Sequence, residues 1–273
     1  MRFELRYFTG TGNSLKILKT CQEVFLEADH TAAISEINLS ETKINEADVI
    51  GFSLPVYAFG IPRICRKYFH SLERFEKKQK AFVIITAGDA KESGFSVVEC
   101  ERLLMKKNCE IIYSGVVQMP INWITSPVPP FPPSNEEANE IIRKGVEKAK
   151  RMAHDIISGI SHLHIFAYPT RYTKFRFYKD YWLFKYLGIQ NLWRTFKTYD
   201  TCNGCQICAM ICPTQSIRII GKRPVWKSTC EQCMRCVNFC PRESIYQTMG
   251  GDTKGKNRYC EPDFHPERVH QIS

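Results

Sequence analysis

Eight of the thirteen cysteines lie between positions 202 and 240, in two copies of one pattern. Each copy reads Cys-x-x-Cys-x-x-Cys-x-x-x-Cys-Pro, over residues 202–213 and 230–241. Four thiolates at this spacing can surround one compact iron-sulfur cube, whereas zinc sites use two ligand pairs with a longer separation. A disulfide scaffold is typical of short secreted chains, but this sequence has 273 residues, and its first residues do not show the long apolar region expected of a secretory signal. The repeat therefore predicts two 4Fe-4S clusters.

The Cys-Pro ending of each run predicts how the ligands are shared. In runs of this spacing the fourth cysteine ligates the other cluster. Pro213 and Pro241 fix the backbone turn after that ligand and leave no competing N–H group. The predicted ligands of the first cluster are Cys202, Cys205, Cys208 and Cys240, and those of the second are Cys230, Cys233, Cys236 and Cys212.

The other five cysteines are not part of the repeat. Cys21, Cys65, Cys100 and Cys109 fall in helical or strand contexts and are predicted to be buried small hydrophobic residues. Cys260 lies in a polar C-terminal segment, where a redox role is the weaker of two alternatives.

The first 160 residues alternate short apolar runs with helix-like segments, which is typical of a parallel sheet covered by helices. The predicted strands are Arg2–Phe8, Thr31–Ile37, Asp48–Leu54, Lys80–Thr86 and Glu110–Val117, and the predicted helices are 14–28, 62–74, 94–107 and 135–158. The predicted domain ranges are a doubly wound domain over 1–160, an aromatic and basic connector over 161–199, a cysteine domain over 200–250 and a tail over 251–273.

A loop rich in glycine and hydroxyl groups follows the first strand. Its residues are Thr9, Gly10, Thr11, Gly12, Asn13 and Ser14. Successive N–H groups of such a loop can surround a phosphate at a helix N-terminus. The loop lacks the lysine of a P-loop and the third glycine of a dinucleotide fingerprint. The alternative is a capped strand-to-helix turn without a ligand.

Two further loops follow the third and fourth strands, and in a doubly wound sheet ligands bind beyond these strand ends. The first contains Pro55, Val56, Tyr57, Ala58, Phe59 and Gly60, and its aromatic rings could stack on a flat heterocycle. The second contains Thr86, Ala87, Gly88 and Asp89. The stretch Met119–Trp123 after the fifth strand could also approach such a ring, although a core position for Trp123 is the favoured alternative.

These motifs resemble known families. The segment YFTGTGNS resembles the FMN phosphate loop of flavodoxins, and PVYAFGIP resembles their ring-facing loop. Joined to a bacterial-type two-cluster ferredoxin, they resemble the flavodoxin-ferredoxin fusion proteins called the EFR family. The resemblance implies an α/β fold with a flavodoxin-like doubly wound five-stranded parallel sheet in the order 2-1-3-4-5, plus a small α+β ferredoxin domain. It also implies FMN bound by Thr9–Ser14 and the 55–60 loop, with Tyr57 or Phe59 against the ring and Thr86–Asp89 at its pyrimidine edge.

Electron transfer is the function that these cofactors imply. A flavin exchanges two electrons and each cluster exchanges one, so no catalytic side chain is predicted. One alternative is a flavin-dependent reductase of a small organic acceptor. The other is a cluster-based redox sensor that binds nucleic acid or a regulatory partner.

Charge and composition bear on the partner. The formal net charge of +10 falls to roughly +4 when two clusters with their thiolates and one flavin phosphate are counted. Positive charge is concentrated in the aromatic stretch 168–199, for which a structural bridge is favoured, an acidic redox partner is second and nucleic acid is disfavoured. No apolar run is long enough to span a membrane, and a cytoplasmic location in an anaerobic or microaerobic cell is predicted.

Overall fold

The chain folds into two compact units. The structure is a computed structural model, and it describes residues 1–44, 46–89, 93–127, 129–165, 174–183 and 189–266. The first unit consists of Met1–Thr9, Asn13–Met119 and Glu140–Phe177, and the second of Gly10–Gly12, Pro120–Asn139 and Tyr178–Ser273. These units differ from the domain ranges drawn on the sequence, because two short segments of the first 160 residues group with the cysteine repeat.

The first unit is built on a five-stranded parallel sheet. Its strands are β1 (Arg2–Tyr7), β2 (Thr31–Glu36), β3 (Val49–Pro55), β4 (Gln79–Ala87) and β5 (Cys109–Gln118). The order is β2-β1-β3-β4-β5, which confirms the predicted flavodoxin-like topology. Tyr7 lies beside Ser53, and Pro55 lies beside Thr86, so the carboxyl ends of β1, β3 and β4 share one edge.

Four helices flank this sheet: α1 (Asn13–Glu27), α2 (Arg63–Ser71), α3 (Ser96–Met105) and α4 (Asn135–Ile157). Helices α2 and α3 contribute Tyr68 and Leu104 to a core that includes strand residues such as Phe52 and Val83. Elsewhere in the unit, Phe3 of β1 stacks on Phe25 of α1 with 4.0 Å between ring centroids. The strongly apolar central strands are therefore shielded from solvent by amphipathic helices.

A charged pair is buried in β1. Glu4 and Arg6 are only 6% and 3% exposed, and Arg6 Nη2 lies 2.8 Å from Glu4 Oε1. Burial raises the pKa of Glu4, and the Arg6 guanidinium only partly opposes that effect. Two residues apart on a strand, these side chains share one face of the sheet.

The second unit has short elements, as the sequence predicts for a small α+β domain. Helix α5 (Lys174–Leu183) begins in the first unit and continues into the second. The elements that follow are α6 (Ile189–Leu192), a 3₁₀ turn (Trp193–Thr195), β6 (Phe196–Thr198), α7 (Ile207–Met210), β7 (Ile217–Ile220), β8 (Arg223–Trp226), α8 (Arg235–Asn238) and β9 (Ile245–Gln247). Strands β6 and β9 pair antiparallel, as do β7 and β8.

Much of the predicted connector, at 166–173 and 184–188, lies outside the described residues. Within α5, Tyr181 is buried, whereas Phe175 and Trp182 are 79% and 51% exposed. The role of the connector as a structural bridge therefore stays a prediction. Across the described part of the chain, none of the helices combines the length and apolarity required to cross a bilayer.

Candidate cluster and flavin sites

The two cysteine runs fold as structural copies, 28 positions apart. Left-handed backbone recurs at matched positions, as the pairs Gly204 and Gln232, Gln206 and Met234, and Gln215 and Glu243. After each Cys-Pro step a backbone N–H group returns to the cysteine sulfur. Ser216 N lies 3.2 Å from Cys212 Sγ, and Ser244 N lies 3.3 Å from Cys240 Sγ. Such N–H contacts stabilise a thiolate that ligates metal.

The first predicted ligand set surrounds one cavity. Cys202, Cys205, Cys208 and Cys240 all line it, together with Pro241 and Ile245. Burial, with smaller contributions from Cys240, Cys205 and Cys202, raises the pKa of the Cys208 thiol to about 12. Cys205 is exposed, and the other three are partly exposed. The structure thus brings together three cysteines of the first run and the last cysteine of the second.

The second predicted set is buried. Cys212, Cys230, Cys233 and Cys236 are each less than 10% exposed. Burial raises the pKa of Cys230, and the neighbouring Cys233 and Cys212 thiols add to that rise. Because iron binds the thiolate, cluster assembly must release the protons that burial favours. Here too the fourth cysteine comes from the opposite run.

Polar groups around the second set suit an iron-sulfur cluster. The indole Nε1–H of Trp226 is buried, and it has no hydrogen-bond partner among the described residues. Burial raises the pKa of Cys236, and the neighbouring Cys230, Cys233 and Cys212 thiols add to that rise. Trp226 packs in the same buried cluster as Cys236. A donor directed at cluster sulfur is a recognised means of tuning a cluster potential. In the described segments, no group of three or more His, Cys, Asp or Glu side chains is placed to hold a single metal ion. A cube of four irons is a larger body, and its ligands need not converge on one point.

The phosphate-loop residues are almost all buried. Thr9, Thr11 and Ser14 are at most 1% exposed, and Ser14 Oγ lies 2.8 Å from Thr86 Oγ1 in the first unit. The backbone N–H groups of Gly10, Thr11 and Ser14 have no acceptor within the described ranges. Buried N–H groups are nearly always paired, so these donors fit an anionic ligand such as a phosphate.

The loop after β3 forms a tight turn with a strained backbone. Tyr57 N–H donates to Gly60 O at 2.8 Å, and Gly60 N–H donates to Tyr57 O at 3.2 Å. The two central residues, Ala58 and Phe59, have φ values of +47° and +65°. Non-glycine residues rarely adopt this conformation, and such strain concentrates at ligand sites. Tyr57 is partly exposed, as a side chain that stacks on a ligand ring must be.

Contacts from neighbouring segments hold this turn in place. Phe95 N–H donates to Phe59 O at 2.7 Å, and a Cβ atom on Gly94 would lie 2.4 Å from the same oxygen. Val56 N–H donates to Thr86 O at 3.0 Å, which joins the two predicted ring loops. Gly88 is partly exposed and Asp89 is exposed, at the end of β4.

The structure also locates residues whose roles the sequence left open. Trp123 is 47% exposed, so the expectation of a core tryptophan is wrong, because its indole lies at the surface and donates to Thr125 Oγ1. The prediction that Cys21, Cys65, Cys100 and Cys109 are buried is confirmed. Burial raises the pKa of Cys260 to about 12, which gives no support to a redox role.

Several second-unit contacts could not be found from motifs. Asn122 Nδ2 donates to Thr11 Oγ1, and the buried Arg235 donates to Gly10 O. The C-terminal segment was expected to be a polar tail, yet Tyr259, Glu261 and Phe264 are buried. The sole sequence signal was the presence of aromatic residues in an otherwise polar segment.

Comparison with protein-family models identifies the cysteine region. Residues 196–218 match the Fer4 model and residues 227–250 match the Fer4_4 model, each described as a 4Fe-4S binding domain. The chain therefore carries two 4Fe-4S clusters, and it has a redox role. No curated protein matches the chain.

Solved structures match the N-terminal part. Oxidised flavodoxin 1 from Bacillus cereus is 16% identical, with 60% of this chain and 100% of that chain covered and a TM-score of 0.44. An archaeal flavodoxin is 12% identical, with 56% and 100% covered and a TM-score of 0.36. An azoreductase from Bacillus anthracis is 15% identical, with 57% and 99% covered and a TM-score of 0.40. These values do not assign a function to the domain, and its fold assignment rests on the strand order.

Proposed function

We propose that the protein binds FMN at residues 9–14, 55–60 and 86–89 and passes electrons between this flavin, its two 4Fe-4S clusters and an external redox protein. Bound FMN would supply two-electron chemistry, and each cluster would accept or donate one electron at a time. The chain would thus convert between two-electron and one-electron carriers. The observation that carries the proposal is the presence of two four-cysteine groups in one chain with a flavodoxin-like domain.

The fit of the loop residues supports FMN. Unpaired, buried N–H groups at Gly10, Thr11 and Ser14 are the donors that a phosphate monoester accepts from. The loop has no lysine or arginine of its own, so the phosphate would be bound by backbone dipoles and hydroxyl groups. The Tyr57–Gly60 turn would present partly exposed aromatic and backbone groups to the isoalloxazine ring.

The protein's own residues need not move protons in this function. Their task is to hold each cofactor and to set its potential through hydrogen bonds, burial and charge. The exposed Cys205 and the partly exposed Cys202 suggest that an external partner approaches the first cluster. We propose that this partner is a redox protein with an acidic surface, because a net positive charge of roughly +4 remains when the cofactors are counted.

Anaerobic purification tests the proposal directly. The isolated chain should show flavin and iron-sulfur absorption, about eight iron atoms and one FMN per chain. Photoreduction of the flavin should then be followed by cluster reduction at a rate that does not depend on protein concentration. A chain with full iron and sulfide content that binds no flavin when FMN is added would refute the flavin part.

A further inference from the structure

The second compact unit contains part of the phosphate loop. Residues Gly10–Gly12 group with the cysteine repeat rather than with the sheet. Three contacts bind them there, from Arg235, Asn122 and the backbone of Glu261. The inference drawn from these contacts rests on the proposed FMN site, and it concerns which cluster exchanges electrons with the flavin.

Arg235 is the first contact, and its side chain is fully buried. Its Nε donates to Gly10 O at 2.9 Å, and its Nη1 donates to Ile211 O at 3.1 Å. Ile211 immediately precedes the ligand Cys212, and Arg235 itself lies between the ligands Cys233 and Cys236. One guanidinium group therefore joins the phosphate loop to both segments that ligate the second cluster.

The contacts made by Arg235 and Glu261 orient the loop peptides. Glu261 N–H donates to Thr11 O at 2.8 Å, next to the Gly10 carbonyl that Arg235 binds. In a planar trans peptide the C=O of one residue and the N–H of the next point in opposite directions. Fixing the Gly10 carbonyl toward Arg235 therefore turns the N–H group of Thr11, which has no acceptor in the described part of the chain, away from Arg235. Successive N–H groups on one side are what a phosphate requires.

Asn122 connects the phosphate loop to the backbone of a cluster ligand directly, whereas Arg235 reaches the residue before one. Its Nδ2 lies 3.1 Å from Thr11 Oγ1 and 3.2 Å from Cys233 O, so one amide group contacts both. Asn238 Nδ2 in turn donates to Asn122 O at 3.0 Å and fixes the orientation of that segment. The path from the phosphate loop to a ligand of the second cluster thus consists of two hydrogen bonds through one side chain.

Burial distinguishes the two clusters. The four ligands of the second are buried, whereas those of the first are partly or fully exposed. We propose that the second cluster is the one coupled to the flavin, with Arg235 and Asn122 as positioning residues, and that the exposed first cluster exchanges electrons with the external partner. The order of transfer is flavin, second cluster, first cluster, partner, or the reverse.

The steps balance in electrons. A flavin reduced by an external two-electron donor would supply one electron to the second cluster, which would pass from the 2+ to the 1+ state. That electron would move to the first cluster and then to a one-electron acceptor protein, and the second electron would follow the same route. The protons of the reduced flavin would be released to solvent.

Flavin affinity tests the positioning residues. In the anaerobically purified full chain, Arg235→Gln and Asn122→Ala should weaken FMN binding by about tenfold and about fivefold, as lost hydrogen bonds to charged and neutral groups imply. The matched control is Arg258→Gln, because Arg258 also donates to backbone carbonyl groups in the second run and just after it, at Val237 and Glu243. Its FMN affinity should equal that of the parent chain. FMN affinity is compared in preparations of each variant that retain about eight iron atoms per chain.

The internal repeat offers a matched pair for the electron path. One variant replaces Cys202, Cys205 and Cys208 by Ser, and the other replaces Cys230, Cys233 and Cys236 by Ser. Each should retain one cluster, with about four iron atoms per chain. After photoreduction of the flavin, the variant that keeps the second cluster should reduce it at the parent rate. The variant that keeps the first should reduce its cluster at least tenfold more slowly.

The outcomes separate this inference from the proposed function. Faster reduction in the variant that keeps the first cluster, or equal rates in both, overturns the inference while leaving the flavin assignment intact. Unchanged FMN affinity in both Arg235→Gln and Asn122→Ala overturns the positioning roles even when a triple variant is too unstable to measure. A parent chain that binds no flavin refutes the proposed function itself.

Discussion

Gly94 supports the strained turn at Ala58 and Phe59 and allows a sharp test of the ring-facing loop. A Cβ atom on Gly94 would lie 2.4 Å from Phe59 O and 2.6 Å from Phe59 Cα. Both atoms belong to the backbone, so a side-chain rotation cannot relieve the contact. Gly94 also has φ +56°, a conformation that L-residues rarely adopt. We therefore expect Gly94→Ala to displace the turn and weaken FMN binding.

The magnitude has two parts. The left-handed backbone should cost an alanine about 1–2 kcal/mol. Moving the turn should also weaken the bond from Phe95 N–H to Phe59 O and the paired bonds between Tyr57 and Gly60, each of which contributes about 1 kcal/mol. The second part is therefore about 1–3 kcal/mol, which corresponds to a roughly 5- to 150-fold increase in the Kd for FMN.

Substitution of a second glycine, Gly159, separates the backbone penalty from the effect of displacing the turn. Gly159 has φ +73°, but a Cβ atom there would meet no other atom within 4 Å. Gly159→Ala should therefore lose stability only through the left-handed backbone, and its FMN affinity should match that of the parent chain. Flavin fluorescence titration of the flavin-free protein gives the Kd for each variant, and thermal unfolding gives the loss of stability. Equal FMN affinity in the Gly94 and Gly159 variants would show that the turn does not contact the flavin.

The remaining predictions concern the buried carboxylate and the exchange of ligands. Because folding raises the pKa of Glu4, the folded chain binds the proton of this carboxyl group more tightly than the unfolded chain does. The contribution of protonated Glu4 to stability is therefore lost as the pH rises from 4.5 through the raised pKa. Glu4→Gln should remove this part of the pH dependence of the melting temperature, and an unchanged profile would contradict it. In a chain that has lost the first three cysteines of the second run, adding Cys240→Ala should remove the remaining iron, whereas adding Cys212→Ala should leave about four atoms. The opposite result would mean that each run ligates its own cluster.

Local sequence signals predicted the elements of the first unit closely. The third predicted helix, 94–107, is observed at Ser96–Met105, and the predicted strand Thr31–Ile37 ends one residue earlier at Glu36. The second helix, predicted over 62–74, ends at Ser71, because Leu72 adopts an extended conformation with ψ 138°. The apolar periodicity of a helix or strand and the position of a turn depend on residues that are close in sequence, so both can be predicted from the sequence.

The contacts of the phosphate loop could not be predicted in the same way. Arg235 and Gly10 are 225 positions apart, and a single arginine within a cysteine run has no motif that indicates its partner. Asn122 and Thr11 are 111 positions apart and were equally hidden. Motif spacing is sufficient for the cluster ligands, because one cube fixes the distances among its own four cysteines. Hydrogen bonds between distant segments are set by packing, which has no such local pattern.

Gly12 shows why the positioning residues are a better test of the loop than the glycine motif itself. Its φ is +106°, and a Cβ atom would lie 2.6 Å from the Cβ atoms of both Glu261 and Phe264. A substitution there would displace the C-terminal segment whether or not a phosphate approaches the loop. Loss of flavin from a Gly12 variant therefore has two causes that one measurement does not separate. Arg235 and Asn122 instead act on the carbonyl and hydroxyl groups of the loop. Replacing either one removes a hydrogen bond to the loop without adding an atom to the site.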